Sequence, residues 1–161
     1  MKRDQLIFLG VLGAAALIAV IVVLATGGDD DSSSATPSKP EVEVPSGPPP
    51  KQLETDDITV GDGAEAQAGD TVTVEYVGVN HDDGSEFDSS WERAEPFSFQ
   101  LGSGQVIPGW DKGLVGMKVG GRRQLIIPPD LAYGKQGSPP TIGPNATLIF
   151  VVDLTEVQPG Q

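Results

Sequence analysis

The stretch Gln105-Val106-Ile107-Pro108-Gly109-Trp110 runs from an apolar loop into the start of a short helix, and the rest of the fold is organised around it. A Trp directly after Pro-Gly places a large apolar surface at a helix start, where the first backbone N–H groups have no partner inside the helix. The stretch therefore predicts a shallow apolar platform with a hydrogen-bond donor at its rim.

The helix that follows is predicted from the spacing of its apolar residues. Trp110, Leu114 and Met117 recur at helical intervals, so we expect the helix to continue as far as Met117. Gly113 and Gly116 give this segment a weak intrinsic helix propensity. We therefore expect the helix to depend on packing against a sheet.

Short strands are predicted on both sides of this helix. In the stretch 71–79, Val72, Val74 and Tyr76 alternate with polar residues, which predicts one packed face and one face in water. Further strands are predicted around residues 58–60, 87, 97–101, 122–127 and 147–157, and a long loop at 128–145. This pattern predicts an α+β domain, in which a curved antiparallel sheet of about five strands wraps around one short α-helix.

The N-terminal region is typical of a membrane segment. Lys2 and Arg3 precede an uncharged, apolar run, Leu6–Ala25, whose twenty residues would form a helix of about 30 Å, the thickness of a bilayer core. Acidic residues follow at 29–31, so the positive-inside rule places the N-terminus in the cytosol and the remainder outside. We expect residues 1–27 to be an uncleaved anchor in the cell membrane. The alternative is a signal sequence cleaved near Ala25, which would leave a secreted protein.

Residues 28–51 are predicted to be a linker. Asp, Ser and Thr dominate its first half and Pro its second half, so we expect a disordered part followed by a stiffer, polyproline-like spacer. A proline-rich ligand for another domain or for this one is the alternative interpretation. The folded domain is then predicted at 52–158.

Composition excludes several classes of site. The chain has no Cys and one His, which excludes a disulfide framework and disfavours a metal centre. The net charge of -13 opposes binding to nucleic acid. His81 lies in an acidic turn, where we expect it to be solvated and without a role in acid–base chemistry. We expect a monomer without cofactors.

Several motifs outside the platform occur in an order that resembles a known family. They are Tyr76, Phe87-Asp88-Ser89-Ser90, Arg93, Pro96-Phe97-Ser98-Phe99, Ala132-Tyr133-Gly134 and Ala146-Thr147-Leu148-Ile149-Phe150. In content, order and spacing these segments resemble the FKBP family, the immunophilin peptidyl-prolyl cis-trans isomerases. The resemblance extends from about residue 53 to about residue 157, and it implies the same sheet and helix as the periodicity.

The resemblance implies a role for each matching residue. Residues implied to be catalytic are Tyr76, Phe87, Asp88, Phe97, Trp110, Tyr133 and Phe150. Residues implied to contact or position the substrate are Arg93, Val106, Ile107 and Ile142. In this scheme Trp110 is the floor under the prolyl ring, the Ile107 N–H and the Tyr133 hydroxyl each bond a ligand carbonyl, and Arg93 holds the Asp88 carboxylate. No metal is implied.

The chain departs from the family pattern mainly at the rim of the implied pocket. Gln105 stands where an acidic residue is frequent, Ser138 where several members have His, and Gly143 begins a pair that is commonly Pro-Pro. Phe87 and Asp88 can both line the implied pocket only if the strand that carries them is irregular. Neighbours in a regular strand point to opposite faces, so the strand must end or bulge between them for both to line one cleft.

Two functions are consistent with these residues. The resemblance implies a peptidyl-prolyl isomerase with affinity for rapamycin-type macrolides. The N-terminal segment would place this enzyme outside the cytosol, where its substrates would be unfolded or exported proteins containing X-Pro bonds. The alternative is a module that binds proline peptides, or acts as a chaperone, through the same cleft with little catalysis. The implied pocket is complete, which favours the enzyme.

Overall fold

The computed structural model describes residues 37–161. Within this part the chain forms six strands, two short α-helices and one 3-10 turn. In chain order these are β1 Glu54–Thr59, β2 Thr71–Asn80, β3 Glu86–Ser89, α1 Ser90–Arg93, β4 Phe97–Gln100, α2 Pro108–Gly113, β5 Arg122–Ile127, the 3-10 turn Pro129–Leu131 and β6 Leu148–Gln158.

The six strands form one antiparallel sheet. Its order is β1-β5-β6-β2-β3, and β4 pairs with the first part of β2. The central pair is β2 with β6, which runs from Thr71 opposite Gln158 to Asn80 opposite Leu148 with one register shift between Thr73 and Val74. The predicted antiparallel sheet is confirmed, with six strands in the described part of the chain instead of about five.

The helix α2 begins earlier and ends earlier than its apolar spacing predicted. Pro108 is its first residue, a position that proline favours because the N–H it lacks would have no partner there. The predicted extension to Met117 is wrong. Gly116 adopts a positive φ of 86° and its N–H bonds the carbonyl of Ala66, so the chain leaves the helical path before Met117.

Close packing on β5 holds α2, as its weak propensity led us to expect. A Cβ on Gly109 would lie 2.5 Å from Ile127 Cγ2, and one on Gly113 would lie 2.9 Å from Leu125 Cδ2. The two glycines therefore allow the helix to approach the sheet more closely than any side chain would permit. At the other end of α2, Arg123 donates to the carbonyl of Gly113 at 2.8 Å, which satisfies a terminal helix acceptor.

The main hydrophobic core lies between α2 and the concave face of the sheet. The residues that we predicted to face inward on β2 are buried there, which confirms this alternation, and alternate apolar residues of β6 are buried with them. They are Val72, Val74, Tyr76, Leu148, Phe150, Val152 and Leu154.

The opposite, convex face is less open to water than the alternation predicted. Val77, Val79, Ile126 and Ile149 are buried there in a second cluster, against which Trp91 packs. Val42, from the segment predicted to be linker, also packs against this cluster.

His81 is buried, with 7% of its surface exposed, so the expectation that it is solvated is wrong. Its backbone N–H donates to the carbonyl of Thr147 at 3.0 Å, which holds this turn against the residue before β6.

The predicted membrane segment, Leu6–Ala25, lies outside the described residues. Among residues 37–161, none of the helices has the length and apolar content needed to cross a bilayer. Residues 37–51 contain no helix or strand. The predicted boundaries of anchor, linker and domain stay predictions.

Candidate active site

A cavity of about 410 Å³ lies between α2 and the concave face of the sheet. Its walls are mainly aromatic and aliphatic, with one carboxylate and one amide side chain. The lining residues are Tyr76, Phe87, Asp88, Phe97, Gln105, Val106, Ile107, Trp110, Tyr133 and Phe150.

Trp110 lies at the centre of the aromatic contacts. Tyr76 and Phe150 meet its indole ring edge to face, at centroid distances of 5.0 Å and 5.2 Å. Phe97 makes a third edge contact at 6.2 Å. Edge-to-face pairs of this kind each contribute about 0.5–1.5 kcal/mol beyond area burial, so the contacts fix the orientation of the indole. Trp110 is only 4% exposed, and it presents a rigid floor to the cavity.

A polar group, formed by Tyr76, Asp88 and Arg93, borders these aromatic rings. The Tyr76 hydroxyl donates to Asp88 Oδ2 at 2.6 Å, and the Arg93 guanidinium donates to the Tyr76 oxygen at 2.8 Å and to Asp88 Oδ1. The Ser89 backbone N–H also donates to Asp88 Oδ1, at 2.9 Å. The carboxylate is therefore held by three separate donors at one edge of the cavity.

Both phenols of the cavity hold their protons more tightly than an ordinary tyrosine does. Burial, followed by the hydrogen bond to Asp88, raises the pKa of Tyr76 to about 12. Burial and the nearby charge of Asp88 also raise the pKa of Tyr133. Arg93 stays a cation, because its hydrogen bonds with Tyr76 and Asp88 raise its pKa further. The site therefore offers neutral hydroxyl donors beside the Asp88 carboxylate.

A bulge in β3 brings Phe87 and Asp88 to the same cavity. Ser89 and Asp88 pair with Val77 and Gly78, and the register then shifts so that Glu86 lies opposite Val79. Phe87 has no partner in the ladder, so it is the extra residue of a β-bulge. The predicted break in the strand is confirmed.

Ser90 fixes the point at which β3 becomes α1. Its fully buried hydroxyl accepts the Tyr76 N–H at 2.8 Å and donates to the Glu75 carboxylate. A side chain thus takes the place of the ladder acceptor that β3 no longer supplies. Arg93, at the end of the single turn α1, is thereby brought alongside Tyr76, with its guanidinium carbon 5.6 Å from the phenol centroid.

Comparison with known proteins identifies the family. Residues 63–155, more than half of the chain, match the family model described as FKBP-type peptidyl-prolyl cis-trans isomerase. The protein belongs to this family. Its enzyme class is therefore peptidyl-prolyl cis-trans isomerase, as the order of its motifs predicted.

Two of the proteins similar to this FKBP-type isomerase are bacterial FK506-binding proteins that it matches over nearly their whole length. An FK506-binding protein of Streptomyces anulatus is 60% identical over 120 residues, which cover 74% of this chain and 97% of that protein. A probable FK506-binding protein of Corynebacterium glutamicum is 52% identical over 116 residues, 72% of this chain and 96% of that protein. The crystal structure of FkpA from Escherichia coli matches with a TM-score of 0.62 and 48% identity, covering 68% of this chain and 49% of that one. The fold is therefore FKBP-like.

The FKBP fold brings nearly all of the predicted site residues together. All of them line the cavity except Arg93, which holds Asp88 and Tyr76 from behind, and Ile142, which is buried in the main core. Their individual roles stay predictions. Gln105 lines the cavity although it was not predicted as a site residue, and its side-chain oxygen accepts the Gln100 N–H at 3.1 Å. Its position next to Val106, in the loop before α2, could have indicated that Gln105 lines the cavity.

Gly78 is a second residue that the sequence analysis missed. A Cβ at this position would lie 2.6 Å from Phe87 Cζ and 2.7 Å from Phe150 Cε1. Both rings are cavity walls, so the absence of a side chain on β2 allows them to meet edge to face at 5.5 Å. A lone glycine within a strand pattern indicates a close approach of neighbouring groups, but it does not say which groups approach.

Two donors at the cavity are suited to bind a peptide. Within the described residues, no hydrogen bond is found for the Ile107 N–H or for the Tyr133 hydroxyl. Both residues line the cavity, and Tyr133 is 41% exposed. The arrangement can therefore bury a proline ring on Trp110 while two donors bond the carbonyl groups beside it.

Proposed function

We propose that this protein accelerates rotation about X-Pro bonds of unfolded or exported proteins outside the cytosol, by noncovalent stabilisation of the twisted amide in the Trp110 cavity. The observation that carries the proposal is the combination of an aromatic cavity with a fixed carboxylate and neutral hydroxyl donors. The proposed substrates are proline-containing segments, and rapamycin-type macrolides are proposed as competing ligands.

The chemistry needs no covalent intermediate. Rotation about an X-Pro bond is slow because it disrupts amide resonance, at a cost of about 18–20 kcal/mol. The twisted amide is less charge-separated than the planar amide. Transfer from water into an apolar cavity therefore costs the twisted form less free energy than the planar form. A site that binds the twisted form more tightly than the planar form therefore raises the rate.

Each part of the cavity has a place in this mechanism. Trp110 and the rings around it enclose the prolyl ring and exclude water. The Ile107 N–H and the Tyr133 hydroxyl bond carbonyls on either side of the rotating bond, so they hold the peptide while the amide turns. Asp88, fixed by Arg93, supplies a negative potential at the edge of the cavity. A reduction of the barrier by about 7 kcal/mol would accelerate rotation by about 10⁵-fold.

An exchange measurement by NMR on a short X-Pro peptide tests this function. The full chain, purified in mild detergent, should accelerate the exchange, and rapamycin should suppress it. Asp88→Ala and Phe97→Ala should each lower kcat/KM by about tenfold or more, because one removes the fixed charge and the other opens an aromatic wall. Lys51→Met, at an exposed position away from the cavity, is the control.

A folded chain that binds the peptide without accelerating exchange would contradict the proposed catalysis. That result would favour the alternative, a module that binds proline peptides through the same cleft or acts as a chaperone.

The proposed location rests on the sequence of the N-terminal region. The apolar run Leu6–Ala25 lies between basic residues and an acidic cluster, which supports a single-pass anchor with the isomerase domain outside the cytosol. The chain has no Cys, so a single introduced Cys reports topology directly. Ser46→Cys should react with a membrane-impermeant maleimide in intact bacterial cells, whereas Lys2→Cys should react only after permeabilisation.

The opposite pattern of labelling would refute this orientation. A mature protein whose mass lacks residues 1–25 would instead indicate signal cleavage and secretion.

A further inference from the structure

Residues 38–44, which we call the strap, cross the convex face of the sheet. The Arg122 guanidinium donates to the carbonyl of Ser38 at 2.9 Å, and the Gln124 amide donates to the carbonyl of Glu43 at 3.3 Å. At the far end, Val44 lies close to the turn between β2 and β3, where a Cβ on Gly84 would be 3.3 Å from its Cγ2. The strap is thus hydrogen-bonded to β5 at two places and lies close to the turn between β2 and β3 at a third.

Apolar contacts also hold the strap. Val42 packs against the convex-face cluster around Ile149, and Trp91 of α1 packs against the same cluster. Ile149 itself is completely buried. Val42 and Trp91 therefore pack against the same apolar cluster, which connects the strap with α1.

Lys39 makes the only ion pairs of the strap within the described residues. Its ammonium group lies 3.0 Å from Glu86 Oε2 and also contacts the Glu92 carboxylate. Glu86 is on β3, two residues before Asp88. Glu92 is on α1, directly before Arg93. One cation therefore links the two short elements that carry the carboxylate of the site and its guanidinium partner.

We propose that the strap is part of the catalytic domain and that Lys39 is a positioning residue, which holds α1 and β3 so that Arg93 keeps Asp88 and Tyr76 in place. This moves the start of the domain from residue 52 to residue 38. It also gives the segment predicted to be linker a part in the active site.

The physical argument is that α1 is too short to be stable alone. A four-residue helix has barely one turn, and isolated helices of that length do not form in water. Its position depends on contacts at its ends, of which the Lys39 pair with Glu92 is one. In this pair Lys39 binds the carboxylate of Glu92, the residue directly before Arg93. Without Lys39, the Glu92 side of α1 would lose its link to Glu86 on β3.

The test compares matched variants of the full chain. Lys39→Met removes the charge with little change in length, Lys39→Arg restores it, and Lys51→Met removes a charge from the same N-terminal segment at a position without an ion pair in the described residues. The measurements are kcat/KM for a short X-Pro peptide, the thermal unfolding midpoint, and hydrogen exchange of the amides of residues 89–93. Each is made at low salt and again in 1 M NaCl.

We expect Lys39→Met to lower kcat/KM about threefold at low salt, the size set by a partly exposed ion pair. The loss should shrink in 1 M NaCl, where the Debye length of about 3 Å screens the pair in the wild type as well. Lys39→Arg and Lys51→Met should behave as wild type. The amides of residues 89–93 should exchange faster in Lys39→Met, with the unfolding midpoint unchanged.

A kcat/KM of Lys39→Met equal to wild type at low salt would overturn the proposal. A loss of kcat/KM that Lys39→Arg does not restore would also overturn it, as would a loss of kcat/KM that is accompanied by a matching fall in the unfolding midpoint. The exchange measurement needs no turnover, so it tests the strap separately from the proposed catalysis.

Discussion

Substitution of Gly78 by Ala is expected to damage the cavity while leaving the fold in place. The new Cβ would lie 2.6 Å from Phe87 Cζ and 2.7 Å from Phe150 Cε1, against an ordinary contact distance of at least 3.4 Å. The two rings must therefore withdraw by up to about 0.8 Å between them and the backbone. Both rings are walls of the cavity, so the displacement changes the surface that receives the proline.

The structure allows the size of the effect to be estimated. Overpacking of this kind costs about 1–3 kcal/mol, and replacing Gly by Ala inside a strand returns about 0.5–1 kcal/mol. The free energy of unfolding should thus fall by up to about 2.5 kcal/mol, with a central value of about 1 kcal/mol that lowers the unfolding midpoint by about 4 °C for a domain of this size. Activity is more sensitive, since misplacement of binding groups by about 1 Å can cost 10²-fold. We expect kcat/KM to fall by about 10- to 100-fold.

The assay is X-Pro exchange by NMR together with thermal unfolding. Gly143→Ala is the matched control, because a Cβ there has no heavy atom within 4 Å and the backbone is not in the left-handed region. A Gly78→Ala protein with the activity and stability of the wild type would refute the argument that this glycine sets the position of both rings.

Three further outcomes are expected. In Tyr133→Phe, Tyr76 is the remaining phenol of the chain, and its absorbance titration should have a midpoint near pH 12 instead of 10. The native state keeps this proton to higher pH than the unfolded chain, so the stability that it contributes is complete below pH 10 and is lost towards pH 12. A midpoint near pH 10 in the folded protein would contradict this. Arg122→Met should lower the free energy of unfolding by about 2–4 kcal/mol in a denaturant titration, because it leaves the buried Asp153 carboxylate without its bidentate partner, and no change would argue against that pair. Ile107→Pro should fold, because the φ of Ile107 is already -58°, but its kcat/KM should fall about tenfold because the N–H is lost. An equal loss in Ile107→Val, which keeps the N–H, would contradict this reason.

Sequence periodicity correctly gave the buried inner face of β2. The alternation that placed Val72, Val74 and Tyr76 on one face of β2 needed only the two-residue repeat of a strand, and all three are buried in the main core. The start of α2 was likewise local, because Pro108 and its neighbours prefer the first turn of a helix. The order of the motifs then identified nearly every residue that lines the cavity.

Tertiary structure decided the features that depend on contacts between distant segments. The path of the chain after α2 includes a hydrogen bond from Gly116 to Ala66, which helical spacing cannot reveal. The need for Gly78 arises from two rings, one of them on another strand far along the chain. Lys39 lies 53 residues from Glu92, in a segment whose composition predicts only a linker. Local patterns report which face of an element is buried, whereas its neighbours are fixed only when the whole chain packs.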